Sequence, residues 1–545
     1  MKPENDVIPP GWYWVGYGAV VLVWAVLIWI HFYCFNLPTN DSWFYLAPAV
    51  EAEYPGDLHL ALLVPGFYGE EAVWGLHWPG GLVAYSLFTT LITKNIAAIF
   101  VWVISAWLLL GVLCAWLVYA VTRNLYMASG ACLSVLFSRW FFGTNSCFRF
   151  EMPASFYVLL SVLVIMEAIY RNRWSIWHSL GLGVLVMAGA FTHPSLVLFW
   201  AGCFAVLLLA LFFGWAKQRA WLRPVPQMGA IAAGGIFFAL MFWAWFSQPQ
   251  AWEMFLAHLQ HIRDRTNLPW PLESGPILSW RTYPSSGLEM PFVIFAGTGF
   301  AIYFVVQKWR SGLAYCSKTF QGEEDTNERE DLLAVLSIMT GISFGVVFAM
   351  TNPFHTVVFL PLYIALTWIG IARIWQSEML PRLVVSAAAV LLLLASLAHL
   401  GSRTLKWYQA GMPNFRAELA EIYDTFPANK TKIIPREFWE EALRRHDEYA
   451  KIFFFPSSHP REILDTYYAQ AADMEFEPGT IFVEYGYEFS PMGGELPTLD
   501  ELMANEDYQK LLERFTETDR FEHGVRGSRK LWGYEWVIYT NQPEE

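Results

Sequence analysis

Residues 96–121 read IAAIFVWVISAWLLLGVLCAWLVYAV, a run of apolar and small residues without a single charge. About 20 such residues are enough for a helix to cross a hydrocarbon core of ~30 Å. The stretch therefore predicts a membrane-spanning helix. Similar runs recur through the first 400 residues, and 55% of the whole chain is apolar while only 15% is charged. This composition is typical of an integral membrane protein.

Hydropathy predicts eleven spans in total, and the fold class is an all-α polytopic membrane protein. They lie near residues 12–35, 96–121, 125–143, 153–170, 176–191, 194–214, 227–247, 291–307, 332–350, 355–372 and 383–400. The apolar segment 79–93 is short for a crossing. If it does not cross, thirteen Lys and Arg residues lie on one side of the membrane and six on the other. The positive-inside rule then places the larger set in the cytoplasm, so we interpret residues 79–93 as a juxtamembrane or re-entrant helix.

The charge distribution divides the chain into a transmembrane domain, residues 1–400, and an acidic soluble domain, residues 401–545. The first part carries 19 basic and 21 acidic residues, and the second carries 16 and 27, for net charges of −2 and −11. Nucleic-acid binding is excluded because its footprint is a basic patch. Strand-like segments at 481–485 and 536–540 and a helical pattern at 499–516 predict a small α/β fold for the second domain. The threading predicts a plasma or inner membrane protein with a cytoplasmic N-terminus and an extracytoplasmic C-terminal domain.

Ionisable side chains at membrane depth or at span ends are costly, so each is a candidate functional residue. The predicted threading gathers one set of them at the extracytoplasmic face. They are Asp41, His77, Arg149, Glu151, His193, His258, His261, Arg263, Asp264, Arg265 and His355.

Each of these residues has a structural interpretation as well as a functional one. Asp41 is either a helix N-cap or a general base. Arg149 and Glu151 are either a self-neutralising pair or, since side chains two apart do not meet along a helix, two groups that face a cavity.

The other candidates are equally open. The arginines of the loop at 248–290, Arg263 and Arg265, would bind a phosphate, although His258, His261 and Arg265 also fit one face of a surface helix. His193 and His355 would act in substrate binding or in packing. Carboxylates plus histidine would be able to hold a divalent metal, but no spacing matches a motif such as His-Glu-x-x-His, so no metal site is predicted.

In order and predicted sidedness, several motifs resemble the GT-C glycosyltransferases, particularly the protein O-mannosyltransferase and aminoarabinose lipid A transferase branch that uses polyprenyl-phosphate sugars. The motifs are Asp41-Ser42-Trp43-Phe44-Tyr45, His77-Trp78-Pro79-Gly80-Gly81-Leu82, Arg123-Asn124-Leu125-Tyr126, Arg149 to Pro153, Phe191-Thr192-His193-Pro194 and Asn352-Pro353-Phe354-His355. The family often has Asp-Glu where this chain has Asp41-Ser42, which would remove one carboxylate from any metal site. The resemblance implies Asp41 as the base, with Glu151 and Arg149 as active-site residues.

The predicted function is that of an inverting glycosyltransferase. It would move a sugar from a polyprenyl-phosphate donor to the hydroxyl of an extracytoplasmic acceptor, which is a lipid, a glycan or a protein. His77, His193, His258, His261, Arg263, Arg265 and His355 would bind substrate. No cofactor is assigned, and a divalent metal stays an open alternative. Two other functions remain open: a flippase or transporter of lipid-linked sugars, and an enzyme similar to O-antigen ligases or polymerases.

Overall fold

The structure is a computed structural model that describes part of the chain. The described residues are 8–32, 46, 49–50, 52, 79–146, 148–171, 174–218, 225–246, 293–307, 328–349, 353–377, 381–409, 415–435, 438–445, 452–455, 468–469, 471–473, 475–487, 504–523 and 534–541. Every structural statement below concerns these residues.

Apolar helices dominate the first 409 residues. They are α1 (Gly11–Ile30), α2 (Pro79–Leu91), α3 (Ile96–Thr122), α4 (Leu125–Leu136), α5 (Arg139–Ser146), α6 (Glu151–Tyr170), α7 (Ile176–Thr192), α8 (Pro194–Gln218), α9 (Val225–Phe246), α10 (Val293–Gln307), α11 (Glu328–Ala349), α12 (Leu360–Ser377) and α13 (Arg382–Gln409). Among described residues, eight helical stretches are long and apolar enough to cross a membrane, and α7, α8 and α10 contribute three shorter apolar ones. These eleven coincide with the predicted spans, so the prediction of a polytopic helical membrane protein is confirmed.

Contacts between α1 and the α4–α5 span establish the direction of α1. Tyr13, near the start of α1, has its ring centroid 4.8 Å from that of Tyr126 at the start of α4. His31, just after α1, lies 4.4 Å from Phe142 at the other end of the span. Because α3 is joined to α4 by a tight turn, α3 begins on the face where α1 ends. Both ends of the segment 33–95 therefore lie on one face of the membrane, as expected if residues 79–93 do not cross.

We call this the Glu151 face, because α6 also begins there, at Glu151, and we call the other the opposite face. The short helix α2 lies along the Glu151 face. Its Tyr85 and Phe88 pack on Trp102, in the second turn of α3, with ring centroids 5.3 and 4.9 Å away. At its start, a Cβ on Gly81 would lie 2.3 Å from the ring of Phe150. Glycine is required there because no side chain fits between α2 and the start of α6.

Helix α12 lies in the middle of the bundle, where 12 of its 18 residues are buried, including every residue from Leu360 to Gly370. A Cβ on Gly130 of α4 would lie 2.2 Å from the ring of Trp368, so the glycine lets the two helices approach closely. The indole N–H of Trp368 donates to Ser134 Oγ at 2.9 Å. Such internal hydrogen bonds are needed in a hydrocarbon environment that offers polar groups no water.

The C-terminal part forms a five-stranded mixed sheet with short helices, which confirms the predicted α/β fold. Its elements are α14 (Phe415–Asp424), β1 (Lys432–Pro435), α15 (Trp439–Arg444), β2 (Ile452–Phe455), β3 (Ile481–Tyr487), α16 (Glu506–Leu512), β4 (Thr516–His523) and β5 (Tyr534–Thr540). The strand order is β2-β1-β3-β5-β4, with β1 parallel to its neighbours and β5 antiparallel to its own. Among the described residues of the predicted helical stretch 499–516, which begin at 504, the helix is realised in α16, and residue 516 already belongs to a strand.

The alternation of faces predicts the outcome of a topology experiment. A reporter fused after residue 124 or 223 should be cytoplasmic, because the excess of Lys and Arg predicts that side for the turns that follow α3 and α8. A reporter fused after residue 410 follows α13 and should be extracytoplasmic. Alkaline phosphatase and fluorescent protein fusions at the three positions measure this directly. An extracytoplasmic signal at 124 would invert the threading and place the Glu151 face in the cytoplasm.

Candidate active site at the Glu151 face

A buried ion pair stands at the beginning of α6. The guanidinium of Arg149 donates to the Glu151 carboxylate from Nε, at 3.1 Å to Oε1 and 3.2 Å to Oε2, and from Nη2, at 2.9 Å to Oε1. The Glu151 side chain is 2% exposed and that of Arg149 is 14% exposed. The carboxylate also lies in the first turn of α6, where the partial positive charge of the helix N-terminus favours it.

Of the two interpretations that the sequence left open, this pairing is the self-neutralising pair and not the expectation that both side chains face a cavity independently. The expectation assumed helical spacing, in which residues two apart point in different directions. Arg149 instead precedes α6, and Phe148 before it has a left-handed backbone with φ of 54°. The chain thus turns sharply into the helix, and the turn brings the guanidinium back over the first helical residue.

His193 lies in the junction between α7 and α8 and faces the same carboxylate. Its Nδ1 is 2.7 Å from Ser195 Oγ and 3.3 Å from the backbone nitrogen of Ser195. A backbone N–H can only donate, so Nδ1 is the acceptor and the proton of the neutral ring lies on Nε2. Nε2 is 3.9 Å from Glu151 Oε1, too long for a hydrogen bond but close enough for an electrostatic contact.

Local sequence explains the geometry of this junction. His193 has an extended backbone, with φ of −154° and ψ of 133°, and ends α7. Pro194 is the first residue of α8, a position that suits proline because its missing N–H would have no helical partner. The His193 ring caps α8 by accepting from Ser195, the second residue of that helix. Sequence reasoning missed Ser195, although a Ser directly after His-Pro at a helix start was a usable signal.

Helix α2 covers the cluster from the side. Tyr85 Oη is 3.5 Å from the backbone oxygen of Arg149, at the limit of a hydrogen bond. The Tyr85 ring lies 6.2 Å from the rings of both Phe148 and Phe150. Aromatic side chains therefore flank the ion pair where α2 crosses the start of α6. Nothing in the sequence pattern singled out Tyr85.

Neither a protein-family model nor a curated protein matches the chain in sequence. Among solved structures, the chain is similar to apo ArnT from Cupriavidus metallidurans, with 11% identity, a TM-score of 0.51, and coverage of 97% of this chain and 99% of ArnT. The chain has the GT-C fold. The expectation of that fold is confirmed, and at this identity the likeness concerns the fold alone.

Two structures of the oligosaccharyltransferase AglB from Archaeoglobus fulgidus are also similar to the chain. One, in complex with Zn and sulfate, has 12% identity and a TM-score of 0.47, and the match covers 96% of this chain and 73% of AglB. The other, with an inhibitory peptide and a dolichol-phosphate, has 12% identity and a TM-score of 0.42. That match covers 82% of this chain, which spans only 65% of the length of AglB.

Within the GT-C fold, three predicted site residues come together: Arg149, Glu151 and His193. His355 belongs to a 3-10 helix, Pro353–Phe359, that precedes α12. The backbone oxygen of Val357 in this helix accepts a hydrogen bond at 3.1 Å from Ser155 Oγ, which lies one turn after Glu151. The backbone of the 3-10 helix therefore lies at the Glu151 face. The remaining predicted site residues lie outside the described residues. They are Asp41, His77, His258, His261, Arg263, Asp264 and Arg265.

The described residues do not fit a metal ion. No group of three His, Cys, Asp or Glu side chains among them is arranged to hold one. Glu151 is already held by the Arg149 guanidinium, whose positive charge would oppose a divalent cation at the same oxygens. The chemistry of the cluster is that of an oriented guanidinium and an imidazole N–H.

Proposed function

We propose that the chain is an inverting membrane glycosyltransferase that takes its sugar from a polyprenyl-phosphate donor. The observation that carries the proposal is the buried Arg149–Glu151–His193 cluster at one face of a GT-C fold. Buried charges at a membrane face are expensive to maintain, and hydrogen-bond donors held in place are what a phosphate leaving group requires. The acceptor is the hydroxyl of an extracytoplasmic lipid, glycan or protein.

In the proposed step, Asp41 takes the proton of the acceptor hydroxyl. At the same time the hydroxyl oxygen attacks the anomeric carbon from the face opposite the phosphate. The new carbon–oxygen bond forms as the bond to the phosphate oxygen breaks, so the configuration inverts. The electron pair leaves with the polyprenyl phosphate. Arg149 and the Nε2–H of His193 stabilise the charge that develops on it, and Arg263 and Arg265 assist. Glu151 positions Arg149, because it fixes one edge of the guanidinium.

The donor class is transferred from ArnT, which has been solved bound to undecaprenyl phosphate. Two features of this chain agree with a lipid-linked donor. Its candidate site lies at a membrane face, where the phosphate of such a donor is located while the isoprenoid chain lies among the helices. The Arg149 guanidinium is also held in place by Glu151 while its side chain stays 14% exposed, so it would be able to meet a phosphate.

The alternatives from the sequence have less support. A flippase would require a polar path through the bundle, whereas the buried acidic residues of the described spans, Glu151 and Asp331, lie within the first four residues of their helices. An enzyme of the O-antigen ligase type would have a different helical fold. The ArnT-like fold therefore favours the polyprenyl-phosphate glycosyltransferase.

The proposed function is tested with purified protein in detergent or nanodiscs and a panel of polyprenyl-phosphate sugars. With one member of the panel we expect release of polyprenyl phosphate, measured by mass spectrometry, and a product or hydrolysed sugar of inverted configuration, measured by NMR. A nucleotide-sugar panel is the matched control and should give no product. Transport of intact donor across a proteoliposome membrane without cleavage would contradict the proposal and favour the flippase.

The second large loop offers a separate prediction about the donor phosphate. Arg263→Ala or Arg265→Ala should weaken donor binding, because each loses a charge-assisted contact of about 1.5–3 kcal/mol. A tenfold or larger rise in the donor Kd, measured by thermophoresis, is the expected result. Ser285→Ala, in the same loop and without an assigned role, serves as the comparison for nonspecific damage. Unchanged donor affinity in both arginine variants would assign them to an ordinary surface helix.

A further inference from the structure

A cavity lies at the opposite face, away from the candidate active site. It has a volume of about 960 Å³ and is formed by one side of α10, the start of α11 and the second half of α12. That volume is at the upper end of the range for small-molecule sites. No step of the proposed glycosyl transfer uses this region.

The lining of the cavity is polar near the helix ends and, apart from Thr367, whose hydroxyl donates to Val293 O, apolar deeper in the bundle. Gln307, Glu330 and Arg373 line it near the helix ends, at the expected level of the membrane interface. Phe300 and Leu333 line it about two turns and one turn further into the bundle. An interfacial polar mouth above an apolar interior matches the two parts of a lipid, a headgroup and its hydrocarbon chains.

The cavity also borders the bilayer. On α10, the apolar side chains of Phe295, Ile302 and Val306 are 55%, 59% and 73% exposed. This side of α10 therefore faces lipid. Tyr303, which lines the cavity, is 53% exposed. A lipid would therefore be able to enter sideways past α10 without crossing the protein.

Among the described residues that line the mouth, one carries a negative charge and one a positive charge. Arg373 Nη2 lies 2.8 Å from Glu330 Oε1, and the two side chains are 41% and 21% exposed. A headgroup with only a phosphate would gain Arg373 but would meet the Glu330 carboxylate as a like charge. A headgroup that carries both a phosphate and a primary ammonium satisfies both residues, since ammonium donates hydrogen bonds to a carboxylate.

We propose that this cavity binds one molecule of phosphatidylethanolamine. The phosphate of the lipid lies against Arg373 and its ammonium lies against Glu330. One acyl chain enters the apolar interior beside Phe300. The site is independent of the proposed glycosyl transfer, and the lipid acts there as a bound component of the membrane domain.

Gly299 provides a steric test that leaves the charges intact. It borders the cavity, and a Cβ built on it would have no atom within 4 Å, so Gly299→Leu extends a side chain into the space the lipid occupies. Gly345 of α11 also has no atom within 4 Å of such a Cβ and does not line the cavity, so Gly345→Leu is the matched control. Arg373→Gln tests the phosphate contact separately.

Native mass spectrometry of the delipidated full-length protein, titrated with single lipids, measures the binding. Phosphatidylethanolamine should bind with one-to-one stoichiometry at least ~10-fold more tightly than phosphatidylglycerol or polyprenyl phosphate. Gly299→Leu and Arg373→Gln should each weaken it ~10-fold or more, and Gly345→Leu should not. Equal binding of phosphatidylglycerol, preference for polyprenyl phosphate, or unchanged affinity in Gly299→Leu would overturn the proposal. Should Arg373→Gln fail to fold, Gly299→Leu decides alone.

Discussion

Replacing Asp41 by Asn should leave a folded protein that binds donor and turns over at least ~100-fold more slowly, the usual scale of lost general-base catalysis. Asn keeps the size of Asp and caps a helix about as well, but it cannot accept the acceptor's proton. The segment 33–95 that contains Asp41 starts and ends at the Glu151 face, the face at which the described cluster lies.

Asp41→Ala separates this role from helix capping. If Asp41 only caps a helix, the Asn variant should be nearly as active as wild type and the Ala variant should lose stability. If Asp41 is the base, both variants lose turnover, whatever their stability. Initial rates with saturating donor, together with thermal unfolding in detergent, distinguish the two cases. A fully active Asn variant would remove Asp41 from the mechanism.

The positions of the spans were predictable because the bilayer imposes one strong rule. A stretch such as 96–121 must satisfy its backbone hydrogen bonds internally while it is surrounded by hydrocarbon, so it can only be a helix. The non-crossing of residues 79–93 followed from Lys and Arg counts, and the contacts of Tyr13 and His31 agree with it. Which helix lies at the centre was not predictable, because α12 is neither the most nor the least apolar of the spans and owes its place to packing partners such as Gly130.

Sequence predicted which residues belong to the described cluster, but not which of them contact one another. Arg149, Glu151 and His193 were chosen because charge at a span end is costly, which is a statement about single residues. The pairing of Arg149 with Glu151 depends on the left-handed backbone at Phe148. That position holds neither glycine nor asparagine, the residues that usually indicate this conformation in a sequence. In the C-terminal domain, β4 (TETDRFEH) has too few apolar residues for an alternating pattern, so an edge strand of this kind leaves little trace in the sequence.

The Arg149–Glu151 pair yields the second large prediction. Glu151→Gln alone leaves a buried guanidinium without its counter-charge, which should lower the free energy of unfolding by about 3–5 kcal/mol. Replacing both residues, as in Arg149→Met with Glu151→Met, removes the buried charges together and should restore most of that stability. Turnover should stay at least ~100-fold below wild type in the double variant, because the Arg149 guanidinium that stabilises the leaving phosphate is gone.

The double variant therefore tells a structural pair from a functional one, which neither single variant can do. The Glu167–Arg171 pair at the other end of α6 is the control, since its atoms are 2.7 Å apart but its side chains are 49% and 70% exposed. Glu167→Gln should cost less than about 1 kcal/mol and leave turnover unchanged. If the double variant recovered turnover along with its stability, the cluster would only hold the start of α6 in place, and the phosphate would have to be stabilised by the arginines of the second loop.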